Sequence, residues 1–229
     1  MTTSKPQVSA ELVYRAEQLD TAAVSDALDS LGLTGHLKAL VPRVPGSRTV
    51  GPAYTVTYRP VTESASRFHN AANYLDDVPA GSVVVVDNFA NTDCTNWGGL
   101  LTSVAQRLGV RGTVVHGAAR DIAEIRDANY PLFSVGVSMV SGKNRVELDS
   151  VGREVTVGTV IVCPGDLVIA DDNGVLVIPE DRAAEVITRA EAVDRTEAKI
   201  AAAVSEGIRL DEARSRFGYA QPWNEDRER

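Results

Sequence analysis

Residues 82–116 constrain the fold more than any other part of the sequence. Ser82 to Val86 is a short apolar run, typical of a strand buried on both faces. After Gly98-Gly99, apolar residues recur at helical spacing at Leu101, Val104, Ala105 and Leu108. Gly109 is a natural helix stop, and Gly112 to His116 is a second buried strand. Strand, glycine turn, helix and strand form a βαβ unit, whose ligand sites lie at the carboxyl ends of the strands.

The region around this unit predicts an α/β protein. Residues 10 to 31 have helical periodicity in one or two pieces, with Thr21 as a cap for the second piece and Gly32 as its end. Thr49 to Tyr58 alternates like a strand. Residues 87–97 are polar and have no face to bury, so we expect a loop there.

The second half of the chain is richer in predicted strands. A short helix from Asp121 to Ala128 precedes a strand from Leu132 to Val137. The β-rich segments that follow are Arg153 to Cys163 and Leu167 to Ile178, and the latter contains the hairpin signal Asp172-Asn173-Gly174. A long amphipathic helix covers residues 181 to 206, and we expect the charged tail from Asp211 to be loosely ordered. We therefore predict an N-terminal segment 1–20, one compact domain 21–206 and a charged tail 207–229.

The charge balance narrows the classes of partner. The net charge is −8, from 31 acidic and 23 basic residues, which gives no positive surface for nucleic acid or an anionic membrane. No apolar run reaches the roughly 18 residues of a membrane span, and residues 1–10 lack the apolar stretch of a secretory signal. Cys94 and Cys163 are far apart in sequence, which favours free thiols. We expect a cytoplasmic protein with a small-molecule or protein partner.

Arg120 and Asp121 are the strongest candidates for chemistry. They follow a buried strand at the start of a helix, and Glu124 comes three residues after Asp121. A guanidinium can hold a substrate's acid or keto oxygen while a neighbouring carboxylate ligates a hard cation such as Mg²⁺. The alternative is a helix-capping acid beside a surface arginine, which is a common arrangement.

The second candidate is the turn Trp97-Gly98-Gly99-Leu100-Leu101. Two glycines at a strand-to-helix turn allow a ligand to approach the backbone, and the following N–H groups could bind a carboxylate. The alternative is that the glycines serve the backbone conformation alone. The turn belongs to the same βαβ unit as Arg120 and Asp121, so we expect both to open on one edge of the sheet.

Together the two turns resemble a known family. Gly99, twenty intervening residues, Arg120-Asp121 and then Glu124 are similar to the pattern of the metal-dependent 4-hydroxy-4-methyl-2-oxoglutarate and 4-carboxy-4-hydroxy-2-oxoadipate aldolases. Further matching segments are Ser25-Asp26-Ala27-Leu28, Gly51-Pro52-Ala53, Pro131-Leu132-Phe133, Pro164-Gly165-Asp166 and Ala170-Asp171-Asp172-Asn173-Gly174-Val175. The resemblance covers Thr21 to Pro179. It implies a swivelling β/β/α fold of the α/β class, assembled as homotrimers or homohexamers with sites at subunit boundaries.

The resemblance also implies an activity and residue roles. Such aldolases are lyases that cleave a 4-hydroxy-2-oxo acid to pyruvate and a second oxo acid with Mg²⁺ or Mn²⁺, and oxaloacetate decarboxylation is an expected side activity. Arg120 would bind the pyruvyl end, Asp121 the metal, and the amides of Gly98, Gly99, Leu100 and Leu101 the substrate carboxylate. Glu124, where the family more often has Asp, would orient metal-bound water.

The residues themselves favour a metal over a Schiff base. The lysines are Lys5, Lys38, Lys143 and Lys199, and none lies in an apolar strand that would keep its amine neutral. For the base that takes the 4-hydroxyl proton, we prefer metal-bound water to His116, because a lone His inside Val-Val-His-Gly is more often a packed, hydrogen-bonded residue. His36 and His69 are weaker candidates, and Asp87 could approach the same cleft or form a turn.

A non-catalytic alternative comes from the same resemblance. The regulator of ribonuclease activity A is a protein-binding regulator with this fold, and its branch lacks the metal-binding Asp after the Arg. Asp121 is present here, which favours the enzyme.

Overall fold

A mixed sheet organises the computed structural model, which describes residues 8–61 and 72–227. Lys5 and His69 lie outside these residues. Nine strands in the described part form the sheet, in the order β1-β11-β10-β3-β4-β5-β6-β2, with β7 pairing β3. The strands are β1 His36–Leu37, β2 Val41–Pro42, β3 Thr49–Pro60, β4 Val83–Trp97, β5 Gly112–Ala119, β6 Leu132–Val137, β7 Val146–Val151, β8 Val155–Val157, β9 Val160–Val162, β10 Leu167–Asp171 and β11 Gly174–Ile178. Strands β8 and β9 form a separate hairpin.

The α-helices form two main groups that pack against different strands of this sheet. They are α1 Ala10–Ala16, α2 Thr21–Ser30, α3 Gly99–Arg107, α4 Ile122–Asp127, α5 Ala183–Ser205 and α6 Leu210–Arg216. One core cluster joins α3 and α4 to the parallel strands β4 and β5. A second joins α1, α2 and α5 to β10 and β11, and a third lies under the β8–β9 hairpin. The predicted α/β single domain is confirmed.

The predicted βαβ unit is also confirmed. Strands β4 and β5 are parallel, with Val85 opposite Val114, and α3 connects them. Val83 to Val86 are fully buried because α3 covers one face of the sheet and the β8–β9 hairpin the other. Gly109 ends the helix connection with a φ of 75°, in the left-handed region that a glycine adopts without strain.

The prediction of a loop at residues 87–97 is wrong. Strand β4 continues to Trp97, although its pairing with β5 shifts register three times. Phe89 and Ala90 absorb part of the irregularity with φ values of 53° and 56°. Residues 94–97 are buried, and local hydrogen bonds such as that from the backbone N–H of Trp97 to Thr95 Oγ1 satisfy polar groups of Thr95 and Trp97.

Several helix boundaries also differ from the prediction. Asp20, not Thr21, caps α2, since its side chain accepts from the N–H of Ala23 at 2.8 Å. Helix α4 begins at Ile122, one residue later than predicted. The hairpin at Asp172-Asn173 is confirmed by the pairing of Asp171 with Gly174.

The expectation of a loosely ordered tail from Asp211 is wrong for the residues of α6. That helix packs on α5 through Ala213, which is fully buried beside Ile200 and Ala203. Its apolar contacts include Ile208 and Phe217, so a short apolar face among the charges holds the segment in place. In the described part of the chain, no helix is long and apolar enough to cross a membrane.

Candidate active site

The two turns singled out in the sequence are hydrogen-bonded to each other. The backbone N–H of Arg120 donates to the carbonyl of Trp97 at 2.9 Å, so the end of β5 is held against the end of β4. The backbone N–H of Gly99, the first residue of α3, donates to Asp121 Oδ2 at 3.0 Å. Both turns lie at the carboxyl edge of the parallel strands, as expected for a ligand site in this topology.

Close approach of two carboxylates explains the glycine pair. A Cβ on Gly98 would lie 2.5 Å from Asp121 Oδ2, and a Cβ on Gly99 would overlap Glu124 Oε2. Gly98 has a φ of −160°, an extended conformation that any residue adopts. Backbone conformation therefore does not account for the glycine at position 98, whereas the space taken by the Asp121 carboxylate does.

Asp121 has an unusual backbone for a residue with a side chain. Its φ of 56° and ψ of 38° are left-handed, a region that Asp tolerates better than most residues at a cost of about 1 kcal/mol or more. Its side chain makes no capping bond to α4. The carboxylate instead accepts from Gly99 and lies 3.4 Å from Arg120 Nε. The strained backbone thus directs this carboxylate toward the other turn.

A pocket of about 270 Å³ adjoins the two turns. Five of the predicted site residues line it: Gly98, Leu100, Leu101, Arg120 and Asp121. Gly99 and Glu124 are not in its lining, although the Glu124 carboxylate lies against Gly99 beside it. The side chains of Arg120 and Asp121 are 42% and 36% exposed, which leaves both accessible to a ligand.

Other elements complete the pocket with residues that the sequence analysis did not select. Tyr58 comes from β3, Asn96 from β4, and Ser141 and Lys143 from the segment before β7. Burial raises the pKa of Tyr58 to about 12, so its hydroxyl stays protonated at neutral pH and does not serve as a base. Asn96 could have been identified as a site residue from the sequence, because it lies two residues before Gly98 at the same strand end.

Asn96 differs from its neighbours in hydrogen bonding. Thr95 Oγ1 donates to the carbonyl of Trp97 at 2.8 Å, and the Trp97 indole N–H donates to Thr102 Oγ1 at 3.0 Å. Asn96 is only 8% exposed, yet neither its Nδ2 nor its Oδ1 has a partner within residues 8–61 and 72–227. An amide in this state is uncommon in a folded protein.

His116 and Asp87 form a pair outside the pocket. His116 Nδ1 lies 2.8 Å from Asp87 Oδ1, and the Asp87 side chain is buried. Strand alternation puts both on the face of Val85 and Val114, opposite the face that carries Trp97. Neither residue lines the pocket, and neither does His36, so the described histidines are poor candidates for its base.

The donor set fits a hard divalent cation bound with few protein ligands. Asp121 offers a partly exposed carboxylate at the pocket, and Mg²⁺ commonly binds through one or two carboxylates together with substrate oxygens and water. Among the described residues, no cluster of three or more His, Cys, Asp or Glu could form an all-protein metal cage. The described lysines, Lys38, Lys143 and Lys199, are exposed, whereas Schiff-base chemistry requires a desolvated amine.

Comparison with protein families gives a match over most of the chain. The family model described as RraA-like, Aldolase/RraA, matches residues 21–177. A Halalkalibacterium halodurans protein, provisionally named a 4-hydroxy-4-methyl-2-oxoglutarate aldolase, is 32% identical over 187 residues, which cover 80% of this chain and 84% of that protein.

Two further matches are more similar in sequence. Protein DlpA of Legionella pneumophila is 47% identical over 212 residues, which cover 93% of this chain. The match spans only 34% of DlpA, about a third of its length. The crystal structure of an uncharacterised protein from Pseudomonas syringae pv. tomato has a TM-score of 0.85 and 44% identity, covering 92% of this chain and 100% of that one.

Proposed function

The chain belongs to the Aldolase/RraA family, and from that premise we propose that it is a divalent-metal-dependent aldolase that cleaves 4-hydroxy-2-oxo acids to pyruvate and a second oxo acid. The observation that carries this proposal is the hydrogen bond from the Gly99 N–H to Asp121 Oδ2, beside the Arg120 guanidinium in one pocket. This arrangement holds a carboxylate and a cationic fork side by side, as recognition of an oxo acid at a metal requires.

The reaction is a retro-aldol cleavage. The proton of the 4-hydroxyl leaves to water, the C3–C4 bond breaks, and its electron pair forms the C2–C3 double bond of an enolate. C4 becomes the carbonyl carbon of the second oxo acid, and protonation at C3 gives pyruvate. No oxidant or reductant is needed.

The residues of the pocket would divide this work. The Arg120 guanidinium would donate to the C2 oxygen, where negative charge develops in the transition state. The backbone N–H groups of Gly98, Leu100 and Leu101, at the start of α3, would bind the C1 carboxylate, whereas the Gly99 N–H already donates to Asp121 Oδ2. Asp121 would hold Mg²⁺ or Mn²⁺, and Glu124, lying against Gly99, would hydrogen-bond nearby water. When bound, the cation supplies Lewis-acid stabilisation of the enolate charge.

The same enolate would form when oxaloacetate loses carbon dioxide, so we include oxaloacetate decarboxylation as a side activity. We propose a homotrimer or homohexamer acting in the cytoplasm on a small-molecule oxo acid. The net charge of −8 disfavours a nucleic-acid or anionic membrane partner.

The test is a coupled pyruvate assay with 4-hydroxy-4-methyl-2-oxoglutarate and with 4-hydroxy-2-oxoglutarate. We expect pyruvate release with Mg²⁺ or Mn²⁺, loss of release in excess chelator, and recovery when the cation is restored. Full activity in chelator contradicts the metal mechanism. Absence of turnover with either cation, together with a stable complex with a larger protein, would support the alternative of a non-catalytic regulator.

A further inference from the structure

Asn96 is one of the polar side chains in the pocket to which the proposed mechanism gives no role. It is the penultimate residue of β4, nine-tenths buried, and it lines the pocket together with Arg120 and Asp121. Within the described residues neither amide atom has a hydrogen-bond partner, whereas the polar groups of Thr95 and Trp97 on either side are satisfied. Burying an amide without partners costs free energy, so a ligand that satisfies this one gains affinity.

The hydrogen-bonding capacity of an amide limits what this ligand group can be. Nδ2 offers donors and Oδ1 offers an acceptor, so the best partner both accepts and donates. A carboxylate and a keto oxygen only accept, and they would leave Oδ1 unsatisfied. A hydroxyl does both. The proposed substrates carry one alcohol group, on C4, at the carbon that becomes the new carbonyl.

We propose that Asn96 binds the C4 hydroxyl of the substrate and thereby selects 4-hydroxy-2-oxo acids over oxo acids without that group. This inference rests on the proposed aldolase function. Oδ1 accepts from the hydroxyl and Nδ2 donates to its oxygen. The single hydroxyl proton turns from Oδ1 to water as it leaves, and C3–C4 breaks. The donation from Nδ2 stays on the oxygen as it changes from hydroxyl to carbonyl and stabilises its negative charge in between.

The experiment compares two ligands that lack a keto group and so cannot be cleaved. These are 2,4-dihydroxyglutarate and 2-hydroxyglutarate, which differ only by the hydroxyl on C4. Their affinities for the wild-type protein and for Asn96→Ala are measured by calorimetry with Mg²⁺. We expect Asn96→Ala to weaken 2,4-dihydroxyglutarate about tenfold, as for loss of a hydrogen-bonded pair, and to leave 2-hydroxyglutarate within about twofold.

Turnover gives a second readout of the same contrast. In Asn96→Ala, kcat/KM should fall for 4-hydroxy-2-oxoglutarate, while the inhibition constant of 2-oxoglutarate, its analogue without the hydroxyl, should not change. Asn96→Ser, which keeps a small donor and acceptor, should show the same contrast at reduced size, and it replaces the alanine variant if that variant unfolds.

The outcomes separate this inference from the function on which it rests. If the variants weaken both ligands equally, or neither, Asn96 does not recognise the hydroxyl and the inference is overturned. If the wild-type protein binds neither ligand and releases no pyruvate, the proposed function itself is contradicted.

Discussion

Gly99 and Asp121 are 22 residues apart in sequence, and the backbone N–H of one donates to the carboxylate of the other at 3.0 Å. This bond gives the first N–H of α3 a hydrogen-bond acceptor, which a helix N-terminus lacks within the helix itself. It also fixes the position of the Asp121 side chain. The carboxylate is therefore oriented before any ligand arrives, and little free energy is needed to organise it on binding.

Replacing Asp121 with Asn tests the charge of this carboxylate without changing its shape. Asn tolerates the left-handed backbone and keeps an oxygen that can accept from Gly99. We expect pyruvate release to fall by about 100-fold or more, with a melting temperature close to wild type. Coupled rates over a Mg²⁺ titration and calorimetric melting check this. Asp127→Asn, on the exposed end of α4, is the matched control, and equal rates in both variants would contradict a role for Asp121.

Replacing Gly98 with Ala tests the space beside that carboxylate. The extended backbone accepts alanine without strain, but the new Cβ would lie 2.5 Å from Asp121 Oδ2 and must displace it. We expect the Mg²⁺ concentration for half-maximal activity to rise about tenfold or more, as when groups that orient a metal ligand are disturbed. An unchanged Mg²⁺ dependence would show that the carboxylate position does not govern metal binding.

His116→Gln separates a structural role from a catalytic one. Because His116 lies on the sheet face opposite Trp97, we expect turnover within about threefold of wild type. Stability should fall by about 1–3 kcal/mol, since the buried Asp87 carboxylate, which also accepts from the Phe89 N–H, loses its hydrogen bond to the imidazole. Urea unfolding measures the change in stability, and the pH–rate profile measures the change in turnover. A fall in rate of two or more orders of magnitude would contradict the structural role and support His116 as the catalytic base.

Asp171 provides a pH-dependent contribution to stability. Burial would raise the pKa of Asp171, but hydrogen bonds from the hydroxyl and N–H of Thr21 and from the N–H of Asn173 outweigh it, so the pKa is lowered. A lowered folded-state pKa gives a contribution that is present above the unfolded value of about 3.9 and lost as the pH falls through the folded value.

We therefore expect Asp171→Asn to reduce the free energy of unfolding by about 1–2 kcal/mol at pH 7 and by much less near pH 3. Urea unfolding at both pH values measures the difference. Asp127→Asn, at an exposed position on α4, is the control measured in parallel. A cost for Asp171→Asn that grows on acidification would reverse the assigned direction of the pKa shift.

Local patterns in the sequence predict the βαβ unit well. The apolar run before Asp87 and the glycines around α3 are local signals, because each determines the structure of residues next to it in sequence. The strands and the helix can therefore be predicted from periodicity. The extension of β4 from Asp87 to Trp97 does not, because its pairing with β5 shifts register and depends on distant partners such as Ala118. The polar composition of that segment indicated a loop, and long-range pairing overrode it.

The residues of the candidate site also fall into those that the sequence predicts and those that it does not. Gly98, Arg120 and Asp121 could be selected because each lies at a turn of one supersecondary unit. Tyr58 and Lys143 could not, since they reach the pocket only through the pairing of β3 with β7 and the path of residues 141–146. The left-handed backbone of Asp121 was also beyond prediction, as Asp occurs far more often in ordinary turn and cap conformations.

A Cβ on Gly99 would overlap Glu124 Oε2, so substitutions at positions 99 and 124 depend on each other. A relative that acquires a side chain at position 99 has room for it only if position 124 becomes shorter or turns away. In an alignment of homologues, positions 99 and 124 should therefore vary together. Glutamate at 124 should occur only in sequences that keep glycine at 99. The pattern would record a steric constraint that neither position reveals alone.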